Sequence, residues 1–413
     1  MTGNHPTRRN PSESGHLTRS VTGGENHYTI VTVAESPLDD QVIWVGTDDG
    51  YLHVSRNGGD SWEEVGIRLP DAPRREADPG KTYGGTAWVS RVEPSHFVPG
   101  RCYVTLDNHR YDDMQPYVWV TEDFGQTWTN ISQGLPDGWS CYVVREDPVV
   151  PELLFVGTET STFASFDRGN TWTDLRLNMP RVAIHDLVIH PREGDLIAGT
   201  HGRSIWIMDD ISPLRAIAQQ LNHQQAHFIE ARTATRWISI NTGRKQPHFE
   251  FRGENPSPGI NIQYWLPASY NNTDSVTIQV VSSTGSVRSW KEAGQPGLNR
   301  SAWDGTFPAP VPAGAIDTLL ASIAQLQDLV RPEEQSTLKD IRKRFQSLQK
   351  KYDAKSYLET WDKMSAIFGR YGLLMGSRPR PVVAPSGTYP VRIQVGDQTL
   401  SGEVRFREDP LRE

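Results

Sequence analysis

Ser165-Phe-Asp167-Arg-Gly169-Asn-Thr171-Trp172 is an octet that occurs twice more in this chain. One copy is Thr121-Glu-Asp123-Phe-Gly125-Gln-Thr127-Trp128, and a looser one is Ser55-Arg-Asn57-Gly-Gly59-Asp-Ser61-Trp62. The shared pattern, Ser/Thr-x-Asp/Asn-x-Gly-x-Ser/Thr-Trp, predicts a hairpin between two strands. The carboxylate or amide at the third position (Asn57, Asp123, Asp167) accepts hydrogen bonds from backbone N–H groups further along the turn. The fifth position (Gly59, Gly125, Gly169) supplies the positive φ that side chains resist. Trp62, Trp128 and Trp172 open the return strand and carry a large apolar ring into the core.

Each octet ends a longer unit. Upstream of the third lie Tyr142 to Pro148, then Leu153-Leu-Phe-Val-Gly157-Thr158, then Phe163-Ala-Ser165. Upstream of the first lie Ile30 to Pro37, Val42-Ile-Trp-Val-Gly46-Thr47 and Tyr51 to Ser55. The middle unit reads Trp88 to Pro94, Cys102 to Thr105, an insertion, and Tyr117 to Thr121. A fourth unit, Ile184 to Pro191, Leu196 to Thr200 and Ser204 to Met208, lacks the octet. Short strands in repeats of about 40–45 residues are the pattern of β-propeller blades. The expected fold is therefore mainly β, with four blades across residues 28–210.

The octets resemble the Asp-box, or BNR repeat, of sialidases, sortilin/Vps10 propellers and xyloglucan-cleaving hydrolases. Val45-Gly-Thr-Asp-Asp-Gly50, His109-Arg-Tyr-Asp-Asp113 and Thr200-His-Gly-Arg-Ser204 with Asp209-Asp-Ile-Ser-Pro-Leu214 are similar to phrases of large bacterial BNR-repeat proteins described as sortilin-like or glycosyl hydrolase. The resemblance spans about residues 12–215 and is weaker beyond. It implies a propeller and leaves activity open. It also implies that residues 1–27, polar enough to read as a flexible tail, are an inter-blade segment, and that the chain corresponds to the C-terminal half of such a protein. Four blades leave two raw faces, so a partner chain or a second copy is expected to complete the ring.

The 413 residues suffice for two or three domains, and a net charge of −8 argues against a nucleic-acid partner. The two cysteines, Cys102 and Cys141, read as buried thiols, with a disulfide unforced. No run reaches transmembrane length, and no apolar stretch follows the start as an export signal would; the resembling proteins usually look exported. After a linker at 211–245 with a short helix and a strand, alternating strands at 246–312 and 378–413 are similar to the Ig-like sandwich of flagellar-hook cap proteins. Between them, 313–377 carries three apolar stripes at helical spacing, which read as a helical hairpin insertion; a partner-binding coiled coil is the alternative.

Chemistry is harder to read. A glycosidase needs two carboxylates across a cleft, about 5–10 Å apart. Asp48 and Asp49, which follow an inner strand, are the pair that could serve. The insertion supplies His109, Arg110, Asp112 and Asp113, a group suited to a cation, a sugar or a peptide end. His201 and Arg203 form a cationic pair in the fourth unit. No metal-spaced Cys/His set, phosphate loop or cofactor motif occurs. The sequence thus favours a non-catalytic binding or scaffolding module for protein or glycan, with a glycoside hydrolase, or the C-terminal half of one, as the alternative.

Overall fold

The computed structural model describes residues 29–74, 86–219, 223–237, 259–271, 275–311, 314–372, 375 and 378–410. The segment expected to join blades at 1–27, and the linker stretch 242–245, lie outside these. The chain forms two compact units, Met1–Asn222 and His223–Glu413.

The first unit is a succession of antiparallel sheets, each a meander in chain order. The first sheet holds Ile30–Ser36, Asp39–Thr47, Leu52–Ser55 and Glu63–Glu64. The second holds Trp88–Pro94, Cys102–Asp107, Tyr117–Thr121 and Thr129–Asn130. The third holds Cys141–Glu146, Leu154–Thr158, Thr162–Ser165 and Thr173–Asp174. The fourth has three strands, Ile184–Ile189, Leu196–Thr200 and Ile205–Met208. The first strand of each sheet touches the first strand of the next, as in a propeller.

Side-chain packing follows the same succession. Tryptophan anchoring is clearest between the first two sheets, where Trp44 and Val54 meet Val104 and Trp119. Tyr103 and Val118 of the second sheet meet Val144 and Phe163 of the third. Phe155 and Ala164 of the third meet Leu187 and Ala198 of the fourth. In the middle sheets both faces are covered, so Cys102–Asp107, Leu154–Thr158 and Thr162–Ser165 are buried along their whole length. Cys102 and Cys141 are buried free thiols, and burial pushes the Cys141 thiol up to about 12.

The octets form the hairpin turns their composition dictates. Asp167 accepts from the Thr171 N–H (2.9 Å) and hydroxyl (2.7 Å), and Ser165 Oγ donates to it at 2.8 Å. Asp123 is bonded in the same way by Thr127 and Thr121, whereas Asn57 accepts from the Ser61 N–H and the Ser55 hydroxyl and donates its amide to the Ser61 hydroxyl. The second and third turns also dock backward, Gly125 against Val65 and Gly169 against Ile131. Gly169 has φ +89°, and a Cβ there would lie 2.8 Å from the Ile131 side chain; Trp172 Nε1 donates to the Ile131 carbonyl at 2.8 Å. Each return strand is only two residues long and starts just after the tryptophan.

The second unit contains a three-stranded sheet (His227–Ile229, Ile260–Leu266, Gly297–Trp303) and a five-stranded one (Ala234–Arg236, Ser275–Val281, Val287–Ala293, Gly387–Val395, Gln398–Glu408). They share a core of Tyr264, Ile278, Trp303, Ile393 and Phe406. Helices Ala315–Leu326, Pro332–Lys350 and Ala354–Arg370 bury their apolar stripes together around Ile341, Phe345 and Met364. Asp353 caps the last of them by accepting from the Ser356 N–H at 2.7 Å.

Candidate functional site

Register places four residues at one repeated position. Ile43, Cys102, Leu154 and Leu196 each pair with the last residue of the following strand: Ser55, Thr121, Ser165 and Met208. Five residues on, just past the end of the second strand or at its last residue, stand Asp48, Asp107, Glu159 and His201. A second repeated feature faces them. The first strand of every sheet slips register near its start, leaving Val31, Ser90, Tyr142 and His185 unpaired as bulge residues. A bulge re-aims its side chain, and here the re-aimed groups of the third and fourth sheets are a phenol and an imidazole.

These groups form one row along the rim of three sheets. His109 Nδ1 donates to the buried Asp107 carboxylate at 2.7 Å, and its ring stands edge-on to Tyr142 at 6.2 Å. Tyr142 lies 4.5 Å from His185, and His185 lies 5.0 Å from His201 with their planes 28° apart. The Tyr142 hydroxyl donates to Glu159. Glu159, His185 and His201 are exposed, while Tyr142 and His109 are half-buried. Burial pushes the Tyr142 phenol well above its ordinary value, and the bond to Glu159 adds to this. Burial also lowers the His185 pKa; His201 adds to that effect, while Glu159 and Asp107 oppose it.

Below the rim, ion pairs tie the sheets together. Arg145 bonds Glu93 at 2.7 Å and Asp186 at 2.9 Å, and Arg91 bonds Asp186 at 2.8 Å. Glu146 is fully buried and accepts from Ser95, His96 N–H and Tyr103. The buried carboxylates of Glu93 and Glu146 are thus satisfied by groups of neighbouring strands and loops.

The structure brings His109 and His201 onto the same row, joined by Tyr142 and His185. Arg110 stacks on Trp88 at 3.6 Å, beside that row. Asp113 is held inside its own loop by Asn108 and Tyr117, each at 2.8 Å; these bonds keep its carboxyl below the usual range although burial opposes them. Asp112 is exposed in a left-handed conformation that closes the turn. Arg203 is exposed, and its carbonyl accepts from Trp206 Nε1. Asp48 and Asp49 are both buried, and Asp48 accepts from the Thr29 N–H at 2.8 Å. Asp123, Asp167 and Asn57 lie in the turns. Among the described residues, no three His, Cys, Asp or Glu side chains are grouped so as to hold a metal.

No protein-family model and no curated protein matches the chain. Among solved structures it is similar to the GH74 enzyme of Niastella koreensis, at 14% identity and a TM-score of 0.31 over 43% of this chain and 22% of that one. It is similar also to YCF48 bound to D1 peptide, at 18% identity and a TM-score of 0.31 over 44% of this chain and 51% of that one. YCF48 from Cyanidioschyzon merolae matches at 13% identity and a TM-score of 0.28, over 68% and 88%. The chain spans about a fifth of the GH74 enzyme and about half of the peptide-bound YCF48. At these scores the likenesses carry no argument, and the propeller-like, mainly β character rests on the sheets themselves.

Proposed function

We propose that the chain is a non-catalytic binding module: an Asp-box, sortilin-like arc of four blades followed by an Ig-like domain with a helical insertion. Its ligand, a protein segment or a glycan, sits on the rim formed by His109, Tyr142, Glu159, His185 and His201. The observation that carries this is the unbroken run of rings across three sheets, two of them re-aimed by bulges. Aromatic and imidazole faces beside a carboxylate suit both sugar rings and peptide side chains. The apolar face of the fourth sheet is covered in the working protein by a partner chain or a second copy. Calorimetric titration with a panel of oligosaccharides and peptides tests the rim. Tyr142→Ala and His185→Ala are each expected to weaken the tightest ligand at least about tenfold, the loss typical of a central contact. Wild-type affinity in both variants places the ligand elsewhere.

One observation favours a second reading, a glycoside hydrolase. Asp107 and Glu159 occupy the same position of successive sheets, and glycosidases use two carboxylates. Turnover of a polysaccharide panel, abolished by Glu159→Gln, would establish it.

A further inference from the structure

Two of the three rim imidazoles share a stack. His185 packs against His201 at 5.0 Å on one side and Tyr142 at 4.5 Å on the other. Neutral rings pack well at such spacings, whereas two imidazolium ions repel. The charges facing the stack are few. Glu159 holds the Tyr142 hydroxyl, and Asp107 is engaged by His109. Asp186, next to His185 in the chain, is tied to Arg91 and Arg145. Arg110 lies on Trp88. Glu159 and Asp107 both favour a proton on His185, but each is already engaged, Glu159 by the Tyr142 hydroxyl and Asp107 by the His109 ring.

We propose that the His185–His201 stack is a proton switch for the rim: it stays closed and ligand-competent with at most one ring protonated, and it opens, releasing ligand, when both are. This rests on the rim being the binding surface. Histidine is the side chain whose ordinary pKa, about 6.5, lies in the range where compartments differ in acidity. Burial and the neighbouring His201 both resist protonation of His185.

NMR titration of the histidine ring protons in the full chain tests the switch. The His185 midpoint is expected below the ordinary imidazole value, and the ring-to-ring Overhauser contact with His201 present at about pH 7.5 is expected to vanish by about pH 5. His201→Phe keeps a stacked ring without its charge and guards against loss of the fold. It is expected to raise the His185 midpoint by at least about 0.3 unit. It should also remove the drop in affinity for the tightest panel ligand between those two pH values. A His185 midpoint unchanged in His201→Phe, or a ring contact that survives to the acidic end, overturns the switch. The rim reading is tested apart from it, at fixed neutral pH, by the loss of binding in Tyr142→Ala.

Discussion

The third and fourth sheets share strand order, register and bulge, yet differ in what lies beyond them. In the third, Phe155 and Ala164 are 0% exposed and Thr162 is 3% exposed, because the fourth sheet covers that face. The equivalent face of the fourth carries Ile205 at 67%, Ile207 at 58% and Val188 at 46%. Within the first unit, no described sheet packs on it. The fourth sheet also lacks the octet and the short outer strand, and the chain instead enters helix Ser212–Ala218, anchored by an Arg215–Asp147 pair at 2.9 Å. The same repeat therefore builds a sealed junction where it has a successor and an apolar surface where it has none. These exposed isoleucines are the surface that the proposed partner or second copy would cover.

Substitutions at matched positions sharpen that contrast. Phe155→Ala is expected to lower stability by about 3–5 kcal/mol, since the cavity forms in a junction closed on both sides. Chemical denaturation measures it, and a loss below about 1 kcal/mol would mean the third and fourth sheets do not pack as described.

The first sheet offers a pH-dependent counterpart. Burial lowers the His53 pKa to about 4. In the unfolded chain that group titrates near 6.5, so the unfolded state takes up the proton first. Stability is full above about pH 6.5 and falls as pH drops towards 4, by up to about 3 kcal/mol from this group. His53→Asn is expected to flatten that limb of the stability–pH curve. An unchanged slope would show that His53 is solvated.

Asp167→Ala removes three hydrogen bonds from the third sheet's turn and is expected to cost about 1–2 kcal/mol. The fourth sheet has no such turn to lose. Smallest of all, Ile207→Ser is expected to change the isolated chain's stability by no more than about 0.5 kcal/mol, as its side chain is already in water. A larger loss at a concentration where the chain is monomeric would mean that this face packs within the chain itself.

The octets were legible in the sequence because their hydrogen bonds are local, closing within five residues. His109 is marked by the insertion that carries it, and His201 by the cationic pair it forms with Arg203. Tyr142 and His185 did not, since a one-residue register slip is set by the partner strand and leaves no mark on the strand that bulges. Glu159 had a signal that could have been used. Gly157-Thr158-Glu159 repeats Gly46-Thr47-Asp48 and Gly199-Thr200-His201, so the same turn delivers all three to equivalent positions. Asp48 and Asp49 looked like accessible acids only because burial by neighbouring segments cannot be read from one strand.

Sedimentation equilibrium of the purified chain and of the Ile205→Ser/Ile207→Ser variant tests most directly whether the fourth sheet's face is an unfinished junction. The expected result is a wild-type chain that self-associates or carries a co-purifying partner, and a variant that sediments as a single chain. A wild-type chain that is monodisperse and monomeric at every concentration, with nothing bound, would contradict it.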